Sequence, residues 1–129
     1  MEIKQFVLGS FETNSYLLRQ DESAHECVII DTGLDASELV WYITTQQLTP
    51  VAVIFTHGHA DHIKGIEQLC SEYPEIKVAI HNEDAEMLTD AEKNMSALAG
   101  HKFEHGPADI ILEDNEDIDI ANIKLKVLH

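Results

Sequence analysis

The order of apolar and polar positions predicts strands that alternate with helices over roughly the first 80 residues. The segments IKQFVLG and NSYLLRQ have the composition typical of short strands, and GSFET between them is typical of a turn. ECVIIDTG is a continuous apolar run, which predicts a strand buried on both faces. VAVIFT and KVAI predict two further strands. Such alternation favours a layered α/β fold, in which ligands bind at the carboxyl edge of the sheet.

Helical spacing of apolar residues predicts the intervening helices. One helix is expected to open at Asp35, with Glu38 as its capping-box partner, and to end before Pro50. A second begins at about His62 and stops before Pro74. Two more helical segments, NEDAEML and DAEKNMSALAG, are predicted with caps at Asn82 and Asp90 and a stop at Gly100.

The tail DIILEDNEDIDIANIKLKVLH alternates in a way that predicts edge strands. The charged run from Glu113 to Asp119 is interpreted as a solvated turn. A calcium loop is the alternative, but the run lacks the glycine and the terminal glutamate of that loop. One face of the tail strands is expected to carry Ile118, Ile120, Ile123, Leu125 and Val127.

Composition narrows the function classes. The 129 residues fit one domain, 1–129, and 44% of them are hydrophobic, as expected for a globular chain with a core. The formal net charge of −16 disfavours nucleic acid as a partner and favours a bound divalent cation. Cys27 and Cys70 form no CxxC pair and are expected to be buried thiols, which fits a cytoplasmic protein. Neither a secretory leader nor a membrane-spanning run is visible, so no membrane partner is expected.

The stretch THGHADH follows the predicted strand VAVIFT and places four potential metal ligands within six positions. These candidate ligands are His57, His59, Asp61 and His62. Imidazole nitrogen and carboxylate oxygen are ligands that zinc, iron and manganese accept. His57 and His59 can share one ion, with Gly58 allowing a sharp turn between them, and Asp61 and His62 can face a second ion. The pattern therefore predicts a metal site.

A purely structural zinc ion is the main alternative, although such closely spaced residues cannot easily surround one ion. The isolated histidines are expected to occupy surface or loop positions. They are His25, His81, His101 and His105.

THGHADH matches the HxHxDH signature of the metallo-β-lactamase superfamily. NSYLL, VIIDTG, VIFTHGHADHIKG and LTDAEKNMSAL, in this order, resemble the subgroup related to hydroxyacylglutathione hydrolase (glyoxalase II). The resemblance extends to ILEDNEDIDI and IKLKVLH, which are similar to the pair of strands before that subgroup's second metal-binding segment.

The resemblance implies the N-terminal half of an αββα sandwich, with a mixed sheet and helices on one outer face. It implies two ions, zinc or else iron or manganese, with His57 and His59 as ligands of the first and Asp61 and His62 as ligands of the second. Asp61 is also the candidate catalytic residue, and Asp31 is implied to support the site. The implied reaction is attack by a hydroxide held between the metals on a small thioester or ester.

The resemblance also implies that this chain ends before the second metal-binding segment, since His129 matches the position that precedes it. Three hypotheses follow: a hydrolase of which this chain is the N-terminal part and is inactive alone, a non-catalytic metal-binding module, and two chains that complete each other. Nuclease and flavoprotein branches of the superfamily are disfavoured by the acidity and by the lack of a flavin-binding segment. An exposed inner sheet face predicts a homo-oligomer.

Overall fold

The computed structural model describes all residues, Met1–His129. Six strands form a mixed sheet in the order β1-β2-β3-β4-β5-β6, and a separate hairpin pairs β7 with β8. Pairing of β1 with β2 and of β2 with β3 is antiparallel, whereas β3 to β6 run parallel. The strands are β1 Glu2–Leu8, β2 Thr13–Arg19, β3 Glu26–Ile30, β4 Thr49–Phe55, β5 Lys77–His81, β6 Ile110–Leu112, β7 Asp117–Ile120 and β8 Ile123–Lys126.

The helices all pack on one face of the six-stranded sheet. They are α1 Ser37–Thr45, α2 Ala60–Ile63, α3 Ile66–Glu72 and the 3-10 helix Asn82–Leu88. Their buried side chains, among them Leu39, Ile63 and Leu69, join Phe6 and Val53 of the sheet in one apolar core. The predicted mixed sheet with helices on one outer face is therefore confirmed.

The β7–β8 hairpin lies against the opposite face of the sheet. Ile123 of β8 is buried with Leu18 of β2 and Val28 of β3 in a second, smaller apolar cluster. The expectation of an exposed inner face is therefore wrong for the centre of the sheet. It remains true of β1, where Ile3 and Val7 alternate with the buried residues of the helix side and stay exposed.

Helix α1 begins two residues later than predicted, and the predicted capping box does not form. The Asp35 carboxylate accepts a hydrogen bond from the Ser37 backbone N–H instead, at 2.9 Å, and Glu38 is exposed. The Gln68 side chain, contributed by α3, accepts a hydrogen bond from the Ala36 backbone N–H. A long-range contact thus replaces the local cap.

The single helix predicted from His62 to Pro74 is two short helices, and its first turn starts at Ala60. The break lies at Gly65, whose backbone N–H donates to the carbonyl of Gly33 at 2.8 Å. A Cβ atom at Gly65 would lie 2.4 Å from the Thr32 carbonyl oxygen. The chain bends here because the helix has to approach the β3–α1 loop closely.

Two further helix predictions need correction. The cap of the 3-10 helix is His81 rather than Asn82, since His81 Nδ1 accepts the Glu83 backbone N–H at 3.1 Å. Residues 90–100 form turns rather than a helix. Asp90 does cap the first of these turns, but Met95 has a φ of 70°, which a right-handed helix cannot accommodate. Gly100 ends the segment with a φ of 76°.

The cysteines differ in burial. Cys27 is fully buried, as expected, and this burial raises the pKa of its thiol to about 12. Cys70 is only half-buried, because it lies at the edge of the helix layer. None of the helices has both the length and the apolar character needed to cross a bilayer.

Candidate metal centre

The four predicted ligands lie at the carboxyl end of β4, on the loop and short helix that follow it. His57 and His59 lie in the loop, and His59 is the residue that precedes α2. Asp61 and His62 belong to α2. The apolar strand β4 is held between β3 and β5, so this loop leaves the middle of the sheet.

The four side chains lie close to one another in the structure. The rings of His57 and His59 lie at a centroid distance of 4.7 Å and are nearly perpendicular, with an angle of 87°. The rings of His57 and His62 lie at 4.1 Å. Nε2 of His62 is 3.4 Å from Oδ2 of Asp61. His57 is therefore the centre of the group, with His59 and His62 against it.

Asp31 orients His62 and anchors the start of the histidine loop, which is the loop of residues 56–59 between β4 and α2. Its Oδ2 atom lies 2.8 Å from His62 Nδ1, and the same carboxylate accepts the backbone N–H and the hydroxyl of Thr56 at 2.8 and 2.7 Å. The side chain is buried, and its φ of 57° is unusual for a residue other than glycine. Because a carboxylate can only accept, Nδ1 of His62 carries a proton, and in the neutral ring Nε2 then has the lone pair that an ion needs. Asp31 thus lies beside the site, as the family resemblance implied.

The surroundings of His57 favour its neutral form. Burial lowers the pKa of His57, and repulsion from His62 and His59 lowers this pKa further. A neutral imidazole is the form that binds a metal ion, because the ion needs the ring's lone pair. The Thr56 hydroxyl lies 3.1 Å from His57 Nδ1, which leaves Nε2 as the free nitrogen.

Gly58 is needed for a close contact rather than for a sharp turn, which corrects the sequence interpretation. Its φ lies outside the left-handed region, so another residue could adopt this backbone conformation. A Cβ atom here, however, would lie 2.3 Å from Cβ of Met87 in the 3-10 helix. The loop between the two histidines therefore packs directly on that helix.

No sequence pattern indicated the polar groups that hold the loop from other elements. The Thr13 hydroxyl donates to the carbonyl of Asp61 at 2.9 Å, and the Thr32 hydroxyl donates to the carbonyl of His62 at 3.0 Å. The backbone N–H of Ala60 donates to the carbonyl of Asn94 at 2.9 Å. These partners lie far away along the chain, and an isolated threonine or asparagine carries no pattern that would reveal them.

His81 is not at the surface, contrary to the prediction. It is 7% exposed, and its ring stacks on that of His129 at 3.6 Å with an interplanar angle of 5°. His129 Nε2 lies 2.9 Å from Asp84, a contact that raises the pKa of His129. His25 and His101 are exposed and His105 is half-buried in a loop, as predicted.

The ligand atoms of His81, Glu83 and His129 lie within 4.8 Å of one another, as the atoms of a metal site would. Their orientation does not suit an ion. Ring nitrogen lone pairs lie in the ring plane, so parallel stacked rings do not point them at a common ion, and Nδ1 of His81 already accepts a backbone N–H. We interpret this group as a stacked, ion-paired contact between the end of β5 and the segment after β8.

A cavity of about 590 Å³ adjoins the histidine loop. His59, Asp61 and Lys64 form part of its wall, together with residues of the β1–β2 turn and of the segment 94–101. The Asp61 carboxylate is partly exposed there. A small molecule in this cavity would therefore lie beside the predicted ligands.

The donor set suits zinc or a related transition metal. Three imidazole rings and one carboxylate meet at one place, and His57 and His62 each keep a free nitrogen. A closed tetrahedral zinc site requires ligand atoms that lie close together. Such a cluster, within 4.8 Å, occurs at His81, Glu83 and His129 rather than at the histidine loop, so the structure does not favour a purely structural zinc ion at that loop. His57, His59, Asp61 and His62 remain our predicted ligands.

Comparisons with known proteins agree with the predicted family. A family model described as the metallo-beta-lactamase superfamily matches residues 8–129. A probable metallo-hydrolase of Bacillus subtilis, YqgX, is 30% identical over 129 residues, which cover 99% of this chain and 59% of that protein. A hydroxyacylglutathione hydrolase of Edwardsiella ictaluri is 30% identical over 94 residues, covering 63% of this chain and 37% of that protein. The chain thus spans well under two-thirds of the length of these relatives.

Solved structures share the fold. The B3 metallo-β-lactamase BLEG-1 superposes with a TM-score of 0.87 at 33% identity, covering 99% of this chain and 61% of its own. TTHA1623, in a di-iron-bound form, gives a TM-score of 0.70 at 26% identity over 89% of this chain and 56% of its own. The match to residues 8–129, together with this fold, shows that the chain belongs to the metallo-β-lactamase superfamily.

Proposed function

We propose that this chain is part of a metal-dependent hydrolase that acts on a small thioester or ester. In this proposal His57 and His59 bind one ion, and Asp61 and His62 bind a second. Zinc is the expected metal, with iron or manganese as alternatives. The main support is that three imidazoles and one carboxylate meet at the carboxyl end of β4, with His62 oriented by the buried Asp31.

The side chains have separate roles in this proposal. When bound, the ions would supply Lewis acidity and lower the pKa of a nearby water molecule. Asp31 keeps His62 in the tautomer that offers Nε2. Asp61 faces the cavity, so its carboxylate can accept a hydrogen bond from water beside the substrate. The net charge of −16 supports a small-molecule substrate rather than nucleic acid.

The chain by itself is expected to be a poor hydrolase, since two protein ligands for each ion leave the ions loosely held. A displacement of about 1 Å at a reacting centre can already cost on the order of 100-fold in rate. The chain also spans only 59% of the Bacillus relative and 61% of the BLEG-1 lactamase. The glyoxalase-II-like preference for a thioester is supported by the similarity to the Edwardsiella hydrolase.

The test compares thioester hydrolysis by this chain with hydrolysis by a version extended through the next segments of its gene. Both proteins are loaded with zinc, iron or manganese. The proposal predicts metal-dependent turnover by the extended protein, loss of that turnover in its D61N variant, and at least 100-fold slower turnover by the chain alone. An extended protein that binds metal but hydrolyses neither thioesters nor esters would favour the alternative, a non-catalytic metal-binding module.

A further inference from the structure

The cavity beside the histidine loop contains a lysine that has no partner. Lys64 lies on the turn after α2, in the wall that also contains His59 and Asp61. It is half-buried, whereas every other lysine of the chain is exposed. The lysines that form ion pairs are Lys93 with Glu86 and Lys126 with Asp117, so Lys64 has no carboxylate partner.

Half-burial distinguishes Lys64 from the other lysines that form no ion pair. Those are exposed: Lys4, Lys77, Lys102 and Lys124. Lys64 is partly withdrawn from water, and although Asp61 lines the same cavity, no carboxylate oxygen lies within 4.0 Å of the Lys64 ammonium group. Partial burial makes the attraction for an anion stronger than at an open surface, because solvent screening is weaker there.

Exposed apolar side chains form another part of the wall. Phe11 of the β1–β2 turn is 68% exposed, and Met95 and Leu98 of the segment after the 3-10 helix are 50% and 81% exposed. They come from two distant parts of the chain and line the same cavity. Apolar surface grouped around a concave site is typical of a ligand-binding site. The volume of about 590 Å³ lies within the range usual for small-molecule pockets.

We propose that this cavity selects substrates that carry an anionic group and an apolar arm. The anionic group, such as a carboxylate, binds the Lys64 ammonium, and the apolar arm packs on Phe11, Met95 and Leu98. The hydrolysable bond then lies beside His59 and Asp61. This inference deepens the proposed function and rests on it for the chemistry, although the binding itself can be measured without metal.

The test uses three small probes on the metal-free protein in the presence of a chelator, so that no probe can bind an ion. Hexanoate has both features, hexanamide keeps the arm without the charge, and acetate keeps the charge without the arm. Backbone amide shifts are followed by NMR at about 0.15 M salt, where the Debye length is about 8 Å and the distant acidic residues contribute little.

Hexanoate is expected to shift the amides around residues 10–11, 64 and 94–98, with an affinity roughly three- to ten-fold higher than that of hexanamide. K64Q should lower the hexanoate affinity to that of hexanamide, and K64R should restore it. K77Q is the matched control, since Lys77 is exposed at the start of β5, the far end of that strand from the histidine loop. L98S should weaken both six-carbon probes, whereas W41S on α1 should weaken neither.

Equal binding of hexanoate and hexanamide, an unchanged affinity in K64Q, or shifts elsewhere in the protein would each overturn the proposal. Zinc titration of the same protein variants, after removal of the chelator, separates this failure from that of the proposed function. Zinc binding at the histidines without hexanoate binding would discard the cavity assignment alone. Hexanoate binding without zinc binding would keep the cavity and discard the metal centre.

Discussion

Asp31 connects the end of β3 to two parts of the site, the start of the histidine loop and the ring of His62. One buried carboxylate accepts three hydrogen bonds, from the backbone and hydroxyl of Thr56 and from His62 Nδ1. The residue also adopts an unusual backbone conformation, held by the Ser15 hydroxyl, which donates to the Asp31 carbonyl at 2.7 Å. The strained position is maintained because these contacts determine it together.

Replacing Asp31 by asparagine tests this role, because the amide has the same size but only one accepting oxygen. We expect D31N to lower the free energy of unfolding by about 1–3 kcal/mol, measured by urea denaturation. We also expect zinc affinity to fall roughly 10- to 100-fold, since the tautomer of His62 is no longer fixed. D119N, an exposed change on β7 that removes the same charge, is the control. Unchanged zinc affinity in D31N would show that Asp31 does not orient a ligand.

At the scale of elements, the histidine loop is shaped by what packs against it. The 3-10 helix contacts the loop at Gly58 through Met87, and the turns at 90–100 reach it through the carbonyl of Asn94. The Asn94 side chain is in turn held by donating to the carbonyls of Met87 and Phe103 at 3.0 and 2.8 Å. The position of the predicted ligands thus depends on three separate segments of the chain.

A methyl group at Gly58 should therefore disturb the site. We expect G58A to destabilise the protein by roughly 1–3 kcal/mol and to weaken zinc binding, because the added Cβ forces the loop away from Met87. G106A is the matched control, since no atom lies within 4 Å of a Cβ built there. M87G in the G58A background removes the clash and should recover part of the zinc affinity. Equal zinc affinity in G58A and in the original chain would contradict the close packing.

The sequence predicted those features that depend on neighbouring residues. The apolar runs of β3 and β4 and the histidine spacing are local patterns, whereas the support from Asp31 was implied by the family resemblance. The predictions failed where a distant contact decided the structure. Gln68 replaced the cap of α1, Thr32 required the break at Gly65, and the buried bonds of Asn94 turned a predicted helix into turns. His81 is buried by a histidine far along the chain, and no periodicity could reveal that stack.

At the scale of the whole molecule, the sheet face opposite the helices is only partly covered. The β7–β8 hairpin buries its centre, but on the edge strand β1 the side chains of Ile3 and Val7 remain 56% and 53% exposed. An edge strand with exposed apolar residues can pair with another chain. We therefore propose that this chain self-associates through β1, with a second copy as the partner.

Sedimentation at several protein concentrations tests this proposal. The chain should shift from monomer to dimer or larger species as concentration rises, and I3S/V7S should remain monomeric at the same concentrations. W41S is the control, because it removes an equally exposed apolar side chain from α1 on the other side of the molecule. A chain that stays monomeric throughout, or one that W41S makes monomeric, would contradict association through β1.

Zinc calorimetry on metal-free protein tests most directly whether the chain carries part of a two-ion centre, as we propose. We expect weak, saturable binding that the double variants H57A/H59A and D61N/H62A each reduce. H25A/H105A removes two histidines elsewhere, and H129A removes the stacked histidine, so both should bind zinc like the original chain. Equal binding by H57A/H59A and the original chain, or loss of binding only in H129A, would contradict the assignment of the metal centre.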